Sequence, residues 1–142
     1  MKKYFLMVPV ITVLTLSAGA QKLNESQVPA AIKQAFQKAY PGTAATWDKE
    51  RGNYEANFKQ NGKAMSSVID PKGSIIETET DIAVNELPLA IHQYIKQHYK
   101  GAAIKEAARI VKADGDVNYE AEVNNKDVVF DAAGKFIREE ND

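Results

Sequence analysis

The sequence predicts an α+β fold. It reads as a tandem repeat of one helix plus a four-stranded antiparallel meander, with the helices packed on one face of the sheet or sheets. Three observations predict this. The chain repeats itself: Val28-Pro29-Ala30-Ala31-Ile32, running on to Tyr40-Pro41-Gly42, returns as Leu87-Pro88-Leu89-Ala90-Ile91, running on to Tyr99-Lys100-Gly101. Tyr54-Glu55-Ala56-Asn57-Phe58 returns as Tyr119-Glu120-Ala121-Glu122-Val123, and Ile69-Asp70-Pro71-Lys72-Gly73 as Phe130-Asp131-Ala132-Ala133-Gly134. A repeat of this size is a structural unit. Each copy opens with apolar residues at helical spacing, and each then changes to a period of two.

The first helix carries Val28, Ile32, Ala35, Phe36, Ala39 and Tyr40 on one face, with Lys33, Gln34, Gln37 and Lys38 on the other. Ser26 is placed to cap its N-terminus, Pro29 fits the first turn, and Pro41-Gly42 ends it. In the second helix Asn85 stands in for Ser26 and Pro88 for Pro29. Leu87, Ile91, Tyr94, Ile95 and Tyr99 form the stripe, and Gly101 ends it.

After each helix, Tyr54, Ala56 and Phe58 alternate with Glu55, Asn57 and Lys59, and Val117, Tyr119, Ala121 and Val123 with Asn118, Glu120 and Glu122. Such alternation describes strands with one buried and one wet face. Arg51-Gly52-Asn53, Asn61-Gly62, Asp114-Gly115 and Asn124-Asn125 offer residues that tolerate positive φ in tight hairpins. The strands fall near 44–51, 53–60, 63–70 and 74–82, then 103–113, 116–123, 126–131 and 135–140. Short connections favour pairing of successive strands. Whether the two sheets join is open at this level. The hairpin from Ala107 to Tyr119 is longer than its counterpart; it is either a projecting contact element or simple drift in loop length.

Residues 1–20 read as an export signal: Lys2 and Lys3, an apolar stretch from Phe5 to Leu16, then Ala18-Gly19-Ala20, with cleavage expected between Ala20 and Gln21. The apolar stretch is short for a membrane span. The expected mature domain is 21–142, with repeat units 26–82 and 85–140, periplasmic or secreted and off the membrane once the signal is removed. The formal charge of -1 becomes more acidic when Lys2 and Lys3 leave, and no basic block is present, which argues against nucleic acid. With 0 cysteines there are no disulfides, thiol chemistry or cysteine zinc sites, so the core must stabilise the chain.

No catalytic constellation emerges. His92 and His98 stand six apart on one helix, which does not put them on one face; the alignment places His98 on the buried side and His92 on the wet side. Asp114, Asp116 and Asn118 begin like a calcium loop, but Tyr119 and Asn125 occupy its glycine and glutamate positions. No Gly-x-Ser-x-Gly elbow or phosphate loop is present. Glu55 with Glu120, and Glu77 with Glu79, are paired acids at polar strand positions, where solvation explains them. Trp47 shares its strand face with Ala45 and is expected in the core.

The pattern Val-Pro-x-x-Ile-x-x-x-Phe-x-x-x-Tyr-Pro-Gly, followed by Trp47, Tyr-Glu-Ala-x-Phe and an Asp-x-x-Gly turn, resembles the PepSY-like family of secreted bacterial proteins, also called β-lactamase-inhibitor-like. The resemblance runs through both repeats, from 26 to 140. It implies helices on one side and an open, concave sheet face on the other, the face with which the family's namesake inhibitor binds an enzyme. This chain departs from that inhibitor in lacking cysteines and in a charged, aromatic-poor face, so no inhibitory residue is carried over. The expected function is a non-enzymatic exported binding module, without catalytic, cofactor or metal residues. Its partner surface comprises Glu55, Asn57, Lys59, Asn118, Glu120 and Glu122, a mixed-charge face suited to an envelope or secreted protein. The alternatives are an inhibitor or chaperone of a secreted hydrolase, and a small-molecule or metal-binding envelope sensor.

Overall fold

The computed structural model describes residues 20–141. Residues 1–19, with most of the expected signal segment, lie outside the described residues. Ala20 is exposed, and Gln21 begins the first strand.

In chain order the elements are β1 (Gln21–Leu23), a 3₁₀ turn (Glu25–Gln27), α1 (Ala30–Ala39), β2 (Thr46–Glu50), β3 (Asn53–Gln60), β4 (Lys63–Ile69) and β5 (Ile75–Ile82). A second 3₁₀ turn (Val84–Glu86), α2 (Leu89–His98), β6 (Glu106–Lys112), β7 (Val117–Glu122), β8 (Lys126–Asp131) and β9 (Phe136–Asn141) follow. All nine strands form one antiparallel sheet in sequence order. The strands before and after α2 are therefore joined edge to edge, through the pairing of β5 with β6 from Glu77↔Lys112 to Ile82↔Ala107. Strand β1 was not legible in the sequence, because three residues are too few to display a period.

Both helices lie on the same side. Ala56 pairs with Ser67 and Ser67 with Thr78, while Ile82 pairs with Ala107 and Ala107 with Ala121. Thr78 and Ile82 are four apart on one strand, so all these residues face one way. On that face Val28, Ile32 and Phe36 bury against Trp47, Ala56, Phe58 and Ile69, and Leu87, Ile91 and Ile95 against Ala107, Ala121, Val123, Val128 and Phe130. Phe36 meets Trp47 and Phe58 edge-on, with centroids 5.5 and 5.1 Å away. Full burial of each such side chain contributes about 1.5–3 kcal/mol.

Several local expectations need correction. Ser26 and Asn85 cap nothing; they sit inside the 3₁₀ turns. The turns are closed instead by Gln27 Oε1, which accepts from the Asn24 N–H at 2.8 Å, and Glu86 Oε2, which accepts from the Ala83 N–H at 2.7 Å. Ala39 and His98 are exposed, because the last helical turn overhangs the sheet. His98 stacks on Tyr94 at 3.9 Å, and it is His92 that is half-buried. The long hairpin between β6 and β7 does not project freely: the Ala113 N–H donates to the Ile76 carbonyl at 2.9 Å and ties the tip to β5.

The Asp-x-x-Gly turns anchor the sheet beneath the helices. Asp70 Oδ1 accepts from the N–H groups of Lys72 and Ser74, and Asp131 Oδ1 from those of Ala133 and Lys135, all at 2.9 Å. Gly134 has φ +84, and a Cβ there would sit 2.8 Å from the Ala90 Cβ. Glycine is thus required by backbone conformation and by the closeness of α2.

Candidate functional site

Among the described residues no element covers the face opposite the helices, and the sheet curls around it. Glu55 on β3 and Arg138 and Glu140 on β9 line the same hollow of about 310 Å³. In a flat sheet those strands would stand roughly 29 Å apart at about 4.8 Å per strand, so the right-handed twist has closed the sheet into a trough. Its floor is partly apolar: Ala108, Ile110 and Val129 point away from the helices yet are buried, because the trough walls cover them.

Carboxylates dominate the walls. A second hollow of about 420 Å³ is lined by Glu50, Glu55, Glu79, Asp81, Glu106, Glu120, Glu122 and Asp127, with Ala107 and Ala108 as the remaining lining and no lysine or arginine among them. Strand register explains the clustering. Glu79 sits opposite Ser66 and Ile110, Asp81 opposite Ala108, and Ala108 opposite Glu120. Glu55, Glu79 and Glu120 thus form a diagonal row over alternate strands β3, β5 and β7.

The row is electrostatically costly. Burial, followed by the charges of Glu55, Asp81, Glu77 and Asp127, pushes the Glu79 carboxyl up to about 7. Burial, then Glu79, Asp127 and Glu140, pushes Glu120 up to about 8, with Arg138 offsetting part of the rise. Glu55 is also raised, chiefly by burial, against a hydrogen bond with Ser66 that lowers it. Desolvation and like charge both disfavour ionisation. All three carboxyls move in one direction, whereas two-acid hydrolysis needs environments that push one acid up and keep the other ionised.

The six residues expected to form the partner surface divide. Glu55, Glu120 and Glu122 line the hollows. Glu122 and Asn118 are buried instead of wet: Glu122 receives the Lys105 ammonium at 2.9 Å, and Asn118 lies between Ile110 and Asp131. Asn57 donates to Asp48 Oδ2 at 2.8 Å, and Lys59 is exposed outside both hollows. Acids dominate this face, with Arg51 and Arg138 among them at the first hollow, and Glu79 and Glu120 are partly withdrawn from solvent. Sequence reasoning did not bring Glu79, Asp81, Glu106 and Asp127 to this surface. Their alternation with Thr78, Thr80 and Val128 was visible, but the central position of β5 was not. Trp47 is in the core, as expected.

His92 and His98, the 2 histidines of the chain, lie on α2, across the sheet from the trough. Asp114 and Asp116 form a hairpin turn, with Asp114 Oδ1 accepting from the Asp116 N–H at 2.9 Å. Among the described residues no group of three or more His, Asp or Glu is placed to hold a metal ion, and no helix is long and apolar enough to cross a membrane.

Similar proteins bear on the fold. A "DUF2874 family protein" from Bacteroides uniformis is 23% identical, with a TM-score of 0.70 over 80% of this chain and 89% of that one. A "BLIP-like protein" from Bacteroides fragilis is 21% identical, with a TM-score of 0.62 over 79% of this chain and 84% of that one. A structure described as "putative periplasmic proteins" from Bacteroides eggerthii is 19% identical, with a TM-score of 0.71 over 80% of this chain and 88% of that one. At such identities the likeness is one of fold. No curated protein matches the chain. The family model described as "Putative beta-lactamase-inhibitor-like, PepSY-like" matches residues 15–77 and 52–138, and the chain belongs to that PepSY-like family.

Proposed function

We propose that this chain is an exported, non-enzymatic binding module that holds an envelope or secreted protein in its trough. One observation carries the reading: a curled sheet whose uncovered face has an apolar floor and carboxylate walls. A chain that merely needed solubility would place those acids in water, where they cost nothing. Keeping them desolvated sacrifices stability, which is the usual mark of a surface kept for a partner. The export reading is supported by residues 1–20 and by relatives described as periplasmic. The fold itself is read as a duplication in which each half is one helix laid on a four-stranded meander, with the trough spanning the join at β5 and β6.

The absence of cysteine permits a clean test. Ser66→Cys places a thiol in the trough, and Gln34→Cys places one on the exposed side of α1. Each is labelled with a photo-crosslinker and irradiated in the envelope fraction of the source cell. A discrete adduct from position 66, competed away by unlabelled chain and absent from position 34, is expected. Equal adducts from both positions, or none from 66, refute the reading.

A further inference from the structure

We propose that the occupant of the trough is an extended polypeptide segment carrying regularly spaced lysine or arginine side chains. This rests on the trough being the binding face and specifies the chemistry of what it takes. Three observations lead there.

Eight carboxylates and no lysine or arginine line the second hollow, with Glu122 paired to Lys105 and Glu50 to Arg51 from beside it. Arg51 and Arg138 are the cations lining the first hollow, and they are engaged by Glu50 at 3.5 Å and by Glu140 at 2.8 Å. Glu79 has no hydrogen bond or ion pair with any described residue. Charge complementarity therefore selects a cationic partner and repels an acidic one.

Asn118 supplies a second, independent sign. Its side chain lies on the trough side, opposite Ile110, and the residue is only 7% exposed. Its carboxamide makes no hydrogen bond with any described residue. No fully buried side-chain nitrogen or oxygen among the described residues lacks a partner, so the carboxamide still reaches solvent on that face of the sheet. A polypeptide occupant would satisfy it with a backbone N–H or C=O.

The spacing favours a polymer over a point charge. A divalent cation needs several oxygens converging at about 2.3–2.6 Å, and no such group of acids is found among the described residues. The row Glu55, Glu79, Glu120 steps over alternate strands, roughly 10 Å apart along the sheet. An extended polyproline-II-like segment sets every third side chain on one side, about 9 Å apart. Lysine or arginine at every third position would meet the row, while the aliphatic stems lie on Ala108, Ile110 and Val129.

The test uses the mature chain and a blocked nonapeptide with lysine at every third position, followed by calorimetry at low salt and mildly alkaline pH. Saturable binding is expected, weakening steeply with salt. The double variant E79Q/E120Q is expected to lose about tenfold or more in affinity. R138Q, which removes one of the two cations lining the first hollow, is expected to tighten binding a few-fold. Retained folding of E79Q/E120Q is checked by its thermal midpoint. Lack of binding by the lysine peptide, equal binding of its glutamate counterpart, or an unchanged affinity in E79Q/E120Q would overturn the proposal. So would saturable binding of calcium chloride alone at matched ionic strength, which would reassign the acids to a metal. Adducts from position 66 together with a silent lysine peptide would leave the binding face standing and remove only its cationic specificity.

Discussion

Replacing Glu79 and Glu120 by glutamine should stabilise the fold, and only above the ordinary carboxylate range. Glutamine mimics the protonated acid. In the folded chain Glu79 titrates at about 7 and Glu120 at about 8, against 4.5 for an ordinary glutamate. A raised acid favours the folded state fully while it is protonated in both states. That advantage is lost as pH climbs from the unfolded value through the folded one. At about 1.4 kcal/mol per pH unit, ionising Glu79 alone costs roughly 3 kcal/mol and Glu120 alone roughly 5 kcal/mol as upper bounds. Part of the Glu120 rise comes from the Glu79 charge, and solvent still reaches both, so the pair together costs roughly 3 kcal/mol. For a domain of this size that is a shift of roughly 10 °C in Tm. Calorimetric Tm values of the wild-type chain and E79Q/E120Q, taken near pH 5 and near pH 8.5, provide the assay. A small difference at the lower pH and a large gain at the higher one are expected. An equal gain at both values, or a loss at the higher one, would show that the carboxyls are not desolvated as described.

Two further outcomes concern the scaffold. Gly134→Ala should lower stability by about 2–3 kcal/mol, from positive φ plus the clash with Ala90. Gly52→Ala, with φ +86 but open space around the Cβ, should lose only about 1 kcal/mol. Comparable losses in urea unfolding would contradict the close approach of α2. Phe36→Ala should cost about 3–5 kcal/mol, because Phe36 joins α1 to Trp47 and Phe58. Fluorescence of Trp47, the 1 tryptophan, follows the transition, and a loss below about 1 kcal/mol would contradict that burial.

Much of the fold was legible because it is local. A helical stripe at Ile32 and Phe36, alternation at Tyr54 to Phe58, and the Asp-x-x-Gly turns each follow from neighbours in sequence. The caps were misplaced because Gln27 and Glu86 reach back to backbone N–H groups, a geometry that a search for serine or asparagine overlooks. His98 was misplaced because alignment conveys which side of a helix a residue occupies, but not where the sheet beneath it ends.

The candidate site was only half visible for a different reason. Period two says that Glu55, Glu79, Asn118 and Glu120 share a parity within their strands. It says nothing about how strongly the sheet bends across strands, or about which strands are central. What the sequence determined by itself is the alternation of apolar and polar residues, and with it the two helices, eight of the strands and the stripe of apolar residues that each helix buries. Only the tertiary structure decided that one continuous sheet curls until β3 and β9 line one hollow. Curvature and burial are sums over non-local pairings. They turn acids that any single strand would leave in water into a desolvated row.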